Sequence, residues 1–194
     1  MKIIISSLAD MPRIVKRVRP SHMISLLDPD SMVDTPRGLR PERHLKVGVN
    51  DIWEPAEGLI HPTADVVEDI LRFGRTWEPR DPMLVHCWAG VSRSSATAFI
   101  LACERCPQTP ERTIAEHLRK VSVAATPNPL MVALADDMLG RGGRMVDAVR
   151  AIGQGTLLFP NPHYELPVRF PCRFRWSSGT RPSWSPSRTE RRWC

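Results

Sequence analysis

A chain of 194 residues with 42% apolar side chains is long enough to bury one ordinary core, and it contains no run approaching the roughly 18 to 20 apolar residues that cross a bilayer. The formal charge of +6 points to nucleic acid only until it is located: seven arginines and one glutamate fall between Arg169 and Cys194, so the whole excess resides there and the 168 residues before it are neutral. Five cysteines (Cys87, Cys103, Cys106, Cys172, Cys194) are an odd count in a chain whose start reaches Asp10 and Arg13 too soon for a signal peptide, so reduced thiols in a soluble, cytoplasmic protein are expected rather than a disulfide framework.

Lys2 to Leu8 (KIIISSL) reads as a strand, Asp10 to Val18 as a helix with Met11, Ile14, Val15 and Val18 at helical spacing, and Ser21 to Leu27 (SHMISLL) as a second strand. Asp28 to Arg43, broken by prolines and a glycine, is a loop; His44 to Val49 is a third strand; Asn50 to His61 is another loop. Pro62-Thr63-Ala64-Asp65 opens a helix whose inward face comprises Val66, Val67, Ile70, Leu71 and Phe73. Met83 to His86 is a short strand suited to the buried centre of a sheet. Helices follow at 92–105, 110–120, 128–139 and 145–152. Strands alternating with helices, then a helical C-terminal half, predict an α/β fold with a mostly parallel central sheet flanked by helices. The end of the chain, rich in Arg, Ser, Pro and Trp, shows neither a period of 2 nor one of 3.6. Residues 1–160 are therefore expected to form one domain and 161–194 a disordered tail, with a basic tail for nucleic acid or anionic membranes as the alternative.

One stretch carries chemistry. In Val85-His86-Cys87-Trp88-Ala89-Gly90-Val91-Ser92-Arg93-Ser94-Ser95 an apolar strand stops at a thiol, small residues follow, and an arginine returns as a helix begins. Ligands of such folds bind at the carboxyl ends of the strands. A loop of small residues can turn its N–H groups inward, and the next helix adds its positive end, which makes an anion pocket. The same environment favours a thiolate at Cys87. Arg93 can grip two oxygens of a phosphoryl group while the sulfur attacks.

Cys87 to Arg93 matches the C-x5-R signature of the cysteine-dependent protein phosphatases. The fuller stretch HCWAGVSRSS resembles the dual-specificity and bacterial tyrosine-phosphatase-like branch, and looser similarity extends over roughly residues 20 to 140. The resemblance implies a phosphatase-like three-layer sandwich. It implies Cys87 as the nucleophile that forms a thiophosphate, Arg93 as phosphate clamp and Ser94 as the hydroxyl that assists breakdown of the intermediate. The backbone N–H groups of Trp88, Ala89, Gly90, Val91, Ser92 and Arg93 are the remaining phosphate contacts, and His86 an orienter behind the loop. Trp88 stands where many relatives carry lysine or histidine, and a ring at the pocket rim is expected there. The family also supplies a general acid from a loop 30 or more residues before the cysteine. Asp51, directly after the strand HLKVGV, fits that place; Glu54, Asp28 and Asp30 are rivals. Asn128, in Ala125-Thr126-Pro127-Asn128-Pro129, resembles a family turn that braces the loop, or is an ordinary helix N-cap.

Other patterns are weaker. Cys103-Glu104-Arg105-Cys106 has no second metal pair, so buried packing is expected; Gly140-Arg141-Gly142-Gly143-Arg144 is a helix stop, with an anion contact as the alternative. No metal or other cofactor is expected. The function implied is a phosphomonoester hydrolase, a protein tyrosine or dual-specificity phosphatase acting through a cysteinyl-phosphate. The alternative is a pseudophosphatase that recognises a phosphorylated partner. Its partner is a phosphorylated protein or small phosphoester, without need of nucleic acid. Phosphoinositide phosphatases of the superfamily it resembles tend to carry lysines inside the loop and WAGVS holds none, so the resemblance favours a phosphoprotein over an inositol lipid.

Overall fold

The computed structural model describes residues 2–170 apart from Pro79, Leu157 and Pro160. Its elements run β1 (Lys2–Ser7), α1 (Met11–Val18), β2 (His22–Leu27), β3 (His44–Gly48), α2 (Ala64–Thr76), β4 (Met83–Cys87), α3 (Arg93–Arg105), α4 (Glu111–Val121), α5 (Pro129–Met138), α6 (Arg144–Ile152) and β5 (Tyr164–Pro167). The strands form one sheet in the order β3-β2-β4-β1-β5. The first four are parallel and β5 runs antiparallel against β1. This is the α/β architecture expected from the alternation of strands and helices.

Both faces of the sheet are covered, which is why its central strands are near-continuous apolar runs. Ile3 and Ile5 face the larger helical layer with Ile24, Val85 and Phe99. Ile4, between them, faces α1 in a smaller cluster with Met11, Ile14, Met23 and Leu84. Helix α3 is buried from Arg93 through Cys103, so it forms the axis of the larger layer. Helix α2 turns Val67, Ile70 and Leu71 inward as the pattern requires; Gly74 completes that face, while Val66 and Phe73 are half-buried at its edges. Parallel pairing brings the carboxyl ends of β2, β3 and β4 to one side of the molecule. Asp28, Asp51 and Cys87 are thereby carried to a common place.

The expected domain boundary at residue 160 does not hold. Residues 164–167 form β5, and Tyr164, Leu166, Val168 and Phe170 are buried. Glu165 and Arg169, between them, are exposed. Strict alternation seals the β1 edge, which would otherwise present an unpaired ladder, and Pro167 is tolerated because β5 is itself an edge. Phe170 meets the His117 ring edge-on, with centroids 5.6 Å apart. The rest of the expected tail, 171–194, with Cys172 and Cys194, lies outside the described residues. Because Leu166 is wholly buried, Leu166→Ala is expected to cost about 2–5 kcal/mol, read as a lower denaturant midpoint. An unchanged midpoint would return this segment to the tail.

Candidate active site

The loop after β4 closes on itself through its carbonyl groups, all of which are held from outside. Trp88 O accepts from Leu8 N at 3.1 Å, Val91 O from Thr126 N at 2.9 Å and Ser92 O from Asn128 N at 3.4 Å. Ala89 O accepts from Asn161 Nδ2 at 3.1 Å, and Gly90 O from the Tyr164 hydroxyl at 3.2 Å. The Ser95 hydroxyl donates to Val91 O and Ser92 O. Among the described residues, none of the N–H groups of 88–92 has a partner on the protein. Such a cup of free donors at the start of a helix is the geometry that holds an oxyanion.

Gly90 is the hinge of that cup. Its φ is +73°, and a Cβ there would lie 2.7 Å from the Ser6 carbonyl carbon and 2.8 Å from Ser7 N. Both are backbone atoms and cannot yield cheaply. Gly90→Ala is expected to destabilise the fold by about 1–3 kcal/mol and to weaken binding of inorganic vanadate more than Leu166→Ala does. Equal vanadate binding in the two variants would mean that the loop does not depend on this approach.

Cys87 is buried at the bottom of the cup, its Sγ 3.0 Å from Ser94 Oγ. Arg93 is 3% exposed. Its Nη1 donates to Val49 O at 2.5 Å and to Asp28 Oδ1 at 3.0 Å. Its buried Nε has no hydrogen-bond partner among the described residues; Asp51 Oδ2 lies 3.9 Å from it. A buried guanidinium with one edge braced and the other edge unpaired is poised for an anion.

Asp51 leaves the end of β3 and reaches over the loop. Its Oδ1 accepts from Ser92 Oγ at 2.7 Å and from Asn128 Nδ2 at 3.1 Å. Asn128 also donates to Ile52 O at 3.2 Å, while its own Oδ1 caps α5 by accepting from Met131 N at 3.1 Å. The Asn128 side chain thus starts α5 and holds the Asp51 loop, while its backbone N–H reaches Ser92 O of the loop after β4. Asp28 takes a different position from Asp51. Its Oδ1 is shared by Arg93 Nη1 and Asn50 Nδ2, each at 3.0 Å, so it serves as the strut behind Arg93.

A cavity of about 560 Å³ opens over these groups, lined by Asp28, Asp51, Cys87, Ser92 and Arg93 below and by Ile52, Leu59, Trp88 and Val91 on its walls. Trp88 is 57% exposed at the rim. Glu54 and Asp30 do not line it. His86 lies below the floor, wholly buried, with Nε2 2.6 Å from Ser25 Oγ. Cys103 and Cys106 are buried away from the cavity, and burial pushes both thiols up. Arg141 and Arg144 bind the buried Glu111 instead of facing the cavity. Thr126, which braces the loop through Val91 O, lies in the stretch Ala125–Pro129 that also holds Asn128, whereas Tyr164 and Asn161 carry no motif. The alternation through Tyr164-Glu165-Leu166-Pro167-Val168 is the one signal that could have found the tyrosine.

The fold is that of the cysteine-dependent protein tyrosine and dual-specificity phosphatases. The PTP-2 phosphatase of Cydia pomonella superposes with a TM-score of 0.53 at 21% identity, covering 71% of this chain and 85% of that one. The human tyrosine phosphatase-like serine/threonine/tyrosine-interacting protein gives 0.53 at 16% identity, with 70% and 86% covered. The Yvh1 phosphatase domain from Chaetomium thermophilum gives 0.51 at 20% identity, with 74% and 93% covered. No protein-family model and no curated protein matches the chain. Among the described residues no helix is long and apolar enough to cross a membrane.

Proposed function

We propose that the protein is a phosphomonoester hydrolase in which Cys87 attacks phosphorus. The observation that carries this reading is the cup of unpaired N–H groups standing over a buried thiol, beside an arginine with a free Nε. In the first step the Cys87 sulfur forms the S–P bond as the ester P–O bond breaks. Charge on the phosphoryl oxygens is met by the loop N–H groups and Arg93. Asp51, whose Oδ1 is fixed by Ser92 and Asn128 and whose Oδ2 is the arm nearer Arg93 Nε, gives its proton to the departing oxygen. In the second step Asp51, now a carboxylate, takes a proton from water as the water oxygen attacks phosphorus. The sulfur leaves as a thiolate that the Ser94 hydroxyl stabilises across 3.0 Å. Asp28 and Asn50 hold Arg93 in place throughout.

The apolar walls formed by Ile52, Leu59, Trp88 and Val91 suit an aromatic phosphoester better than a charged inositol ring, so the substrate class is a tyrosine- or serine/threonine-phosphorylated protein. The test is hydrolysis of an aryl phosphate, a phosphopeptide panel and a phosphoinositide by the full chain. Vanadate is expected to inhibit competitively, since it takes five ligands in the same cup. No turnover on any of these, with vanadate still bound, would convert the protein into a phosphate-recognition module.

A further inference from the structure

Behind the loop, a buried polar row crosses the sheet where an apolar one would be expected. Ser25 on β2 lies directly opposite His86 on β4 in the register. The Ser25 hydroxyl is 2.6 Å from His86 Nε2 and 2.8 Å from His44 Nε2, and His44 Nδ1 is 2.9 Å from the Thr35 hydroxyl. Ser25 and His86 are fully buried and His44 nearly so. Four side chains from β2, β3, β4 and the loop before β3 therefore make one continuous chain that ends beside Cys87.

Proton counting gives this chain a direction. Burial first, and then the exposed Lys46 and the neighbouring His86, holds His44 down to about 4; burial holds His86 down to about 4 against an opposing contact with the Cys87 backbone. Both rings are neutral at pH 7, so each carries one N–H and one acceptor nitrogen. A single hydroxyl between two Nε2 atoms can donate to only one of them and must accept from the other. His86 Nδ1 is buried with no partner of full hydrogen-bond geometry. The Cys87 backbone beside it favours the protonated ring, as an acceptor does. With Nε2 engaged by Ser25, Nδ1 is the ring nitrogen left for that backbone contact, and we place the His86 proton there. It follows that Ser25 donates to His86 Nε2, His44 Nε2–H donates to Ser25, and Thr35 donates to His44 Nδ1.

We propose that Thr35, His44 and Ser25 are positioning residues, a one-way hydrogen-bonded chain that locks His86 in its Nδ1–H tautomer and so sets the backbone at Cys87 for the loop that follows. The proposal rests on the reading of Cys87 as nucleophile, but the chain can be examined without turnover. Nitrogen NMR of the labelled full chain is expected to show His86 protonated on Nδ1 and His44 on Nε2. The opposite pair of tautomers would overturn the proposal whether or not the protein hydrolyses phosphoesters. In kinetics, Ser25→Ala and His44→Leu are each expected to lower kcat by about five- to tenfold, the worth of roughly one hydrogen bond, with KM little changed. His44→Gln presents an amide N–H where His44 has Nε2–H, and is expected to recover most of what His44→Leu loses. Equal losses in the glutamine and leucine variants, with melting temperatures matched, would show that His44 acts only by filling space.

Discussion

Cys87→Ser is expected to lower turnover by something on the order of 10⁴ to 10⁶, the scale on which loss of a nucleophile disables an enzyme that works through a covalent intermediate. A serine hydroxyl is hardly ionised at neutral pH, and among the described residues the hydrogen-bond neighbour of Cys87 Sγ is the Ser94 hydroxyl, with no histidine or carboxylate to activate it. The fold should survive, because serine fills nearly the same volume and can keep the Ser94 contact. Arg93→Lys is expected to cost at least 10² to 10³, the usual loss when one preorganised donor is removed from a developing oxyanion. Lysine has one nitrogen where Arg93 uses Nη1 to hold Val49 O and Asp28 while its Nε stays free. It can brace or bind, and cannot do both. Activity within tenfold of wild type in either variant would remove the loop from the chemistry.

The second large effect belongs to Asp51. Asp51→Asn is expected to lower kcat/KM, which reports the first step, by roughly 10² to 10⁴ for an alkyl or tyrosyl phosphate, the worth of a positioned acid, and far less for a nitrophenyl phosphate. A nitrophenolate departs without a proton, so the defect should scale with leaving-group pKa. The substitution is mild for the fold, since asparagine offers an Oδ1 to the same Ser92 and Asn128 donors. Asp28→Asn should behave differently. By weakening the strut behind Arg93 it should depress both esters alike. If the leaving-group dependence appears in the Asp28 variant instead, the two aspartates exchange roles.

The elements that place the site were legible because each rests on local chemistry. Apolar runs bounded by Pro, Gly or Asp mark β1 to β4, and small residues between Cys87 and Arg93 mark the loop. Carboxyl-end placement then brings Asp51 to the same cavity. What could not be read depends on pairing between distant strands. Ser25 and His44 look like ordinary strand residues until the register sets Ser25 opposite His86. Asp28 reads as a rival acid because nothing local shows that Arg93, 65 positions later, will take its Oδ1. Strand β5 was missed for another reason. Its alternation is plain, but Pro160, Pro162 and Pro167 and the Arg-rich end beyond it resemble the composition of an unstructured segment, and propensity was overruled by a free edge on β1.

Whether Cys87 becomes phosphorylated can be seen without inference from rates. The Asp51→Asn chain, mixed with nitrophenyl phosphate, should form the S–P bond readily and lose it slowly, because the base for the second step is gone. Rapid acid quenching followed by peptide mass analysis is expected to find one phosphoryl group on Cys87, absent from the Cys87→Ser chain. Steady release of nitrophenol with no phosphoryl group on Cys87, or with the group on another side chain, would contradict the mechanism.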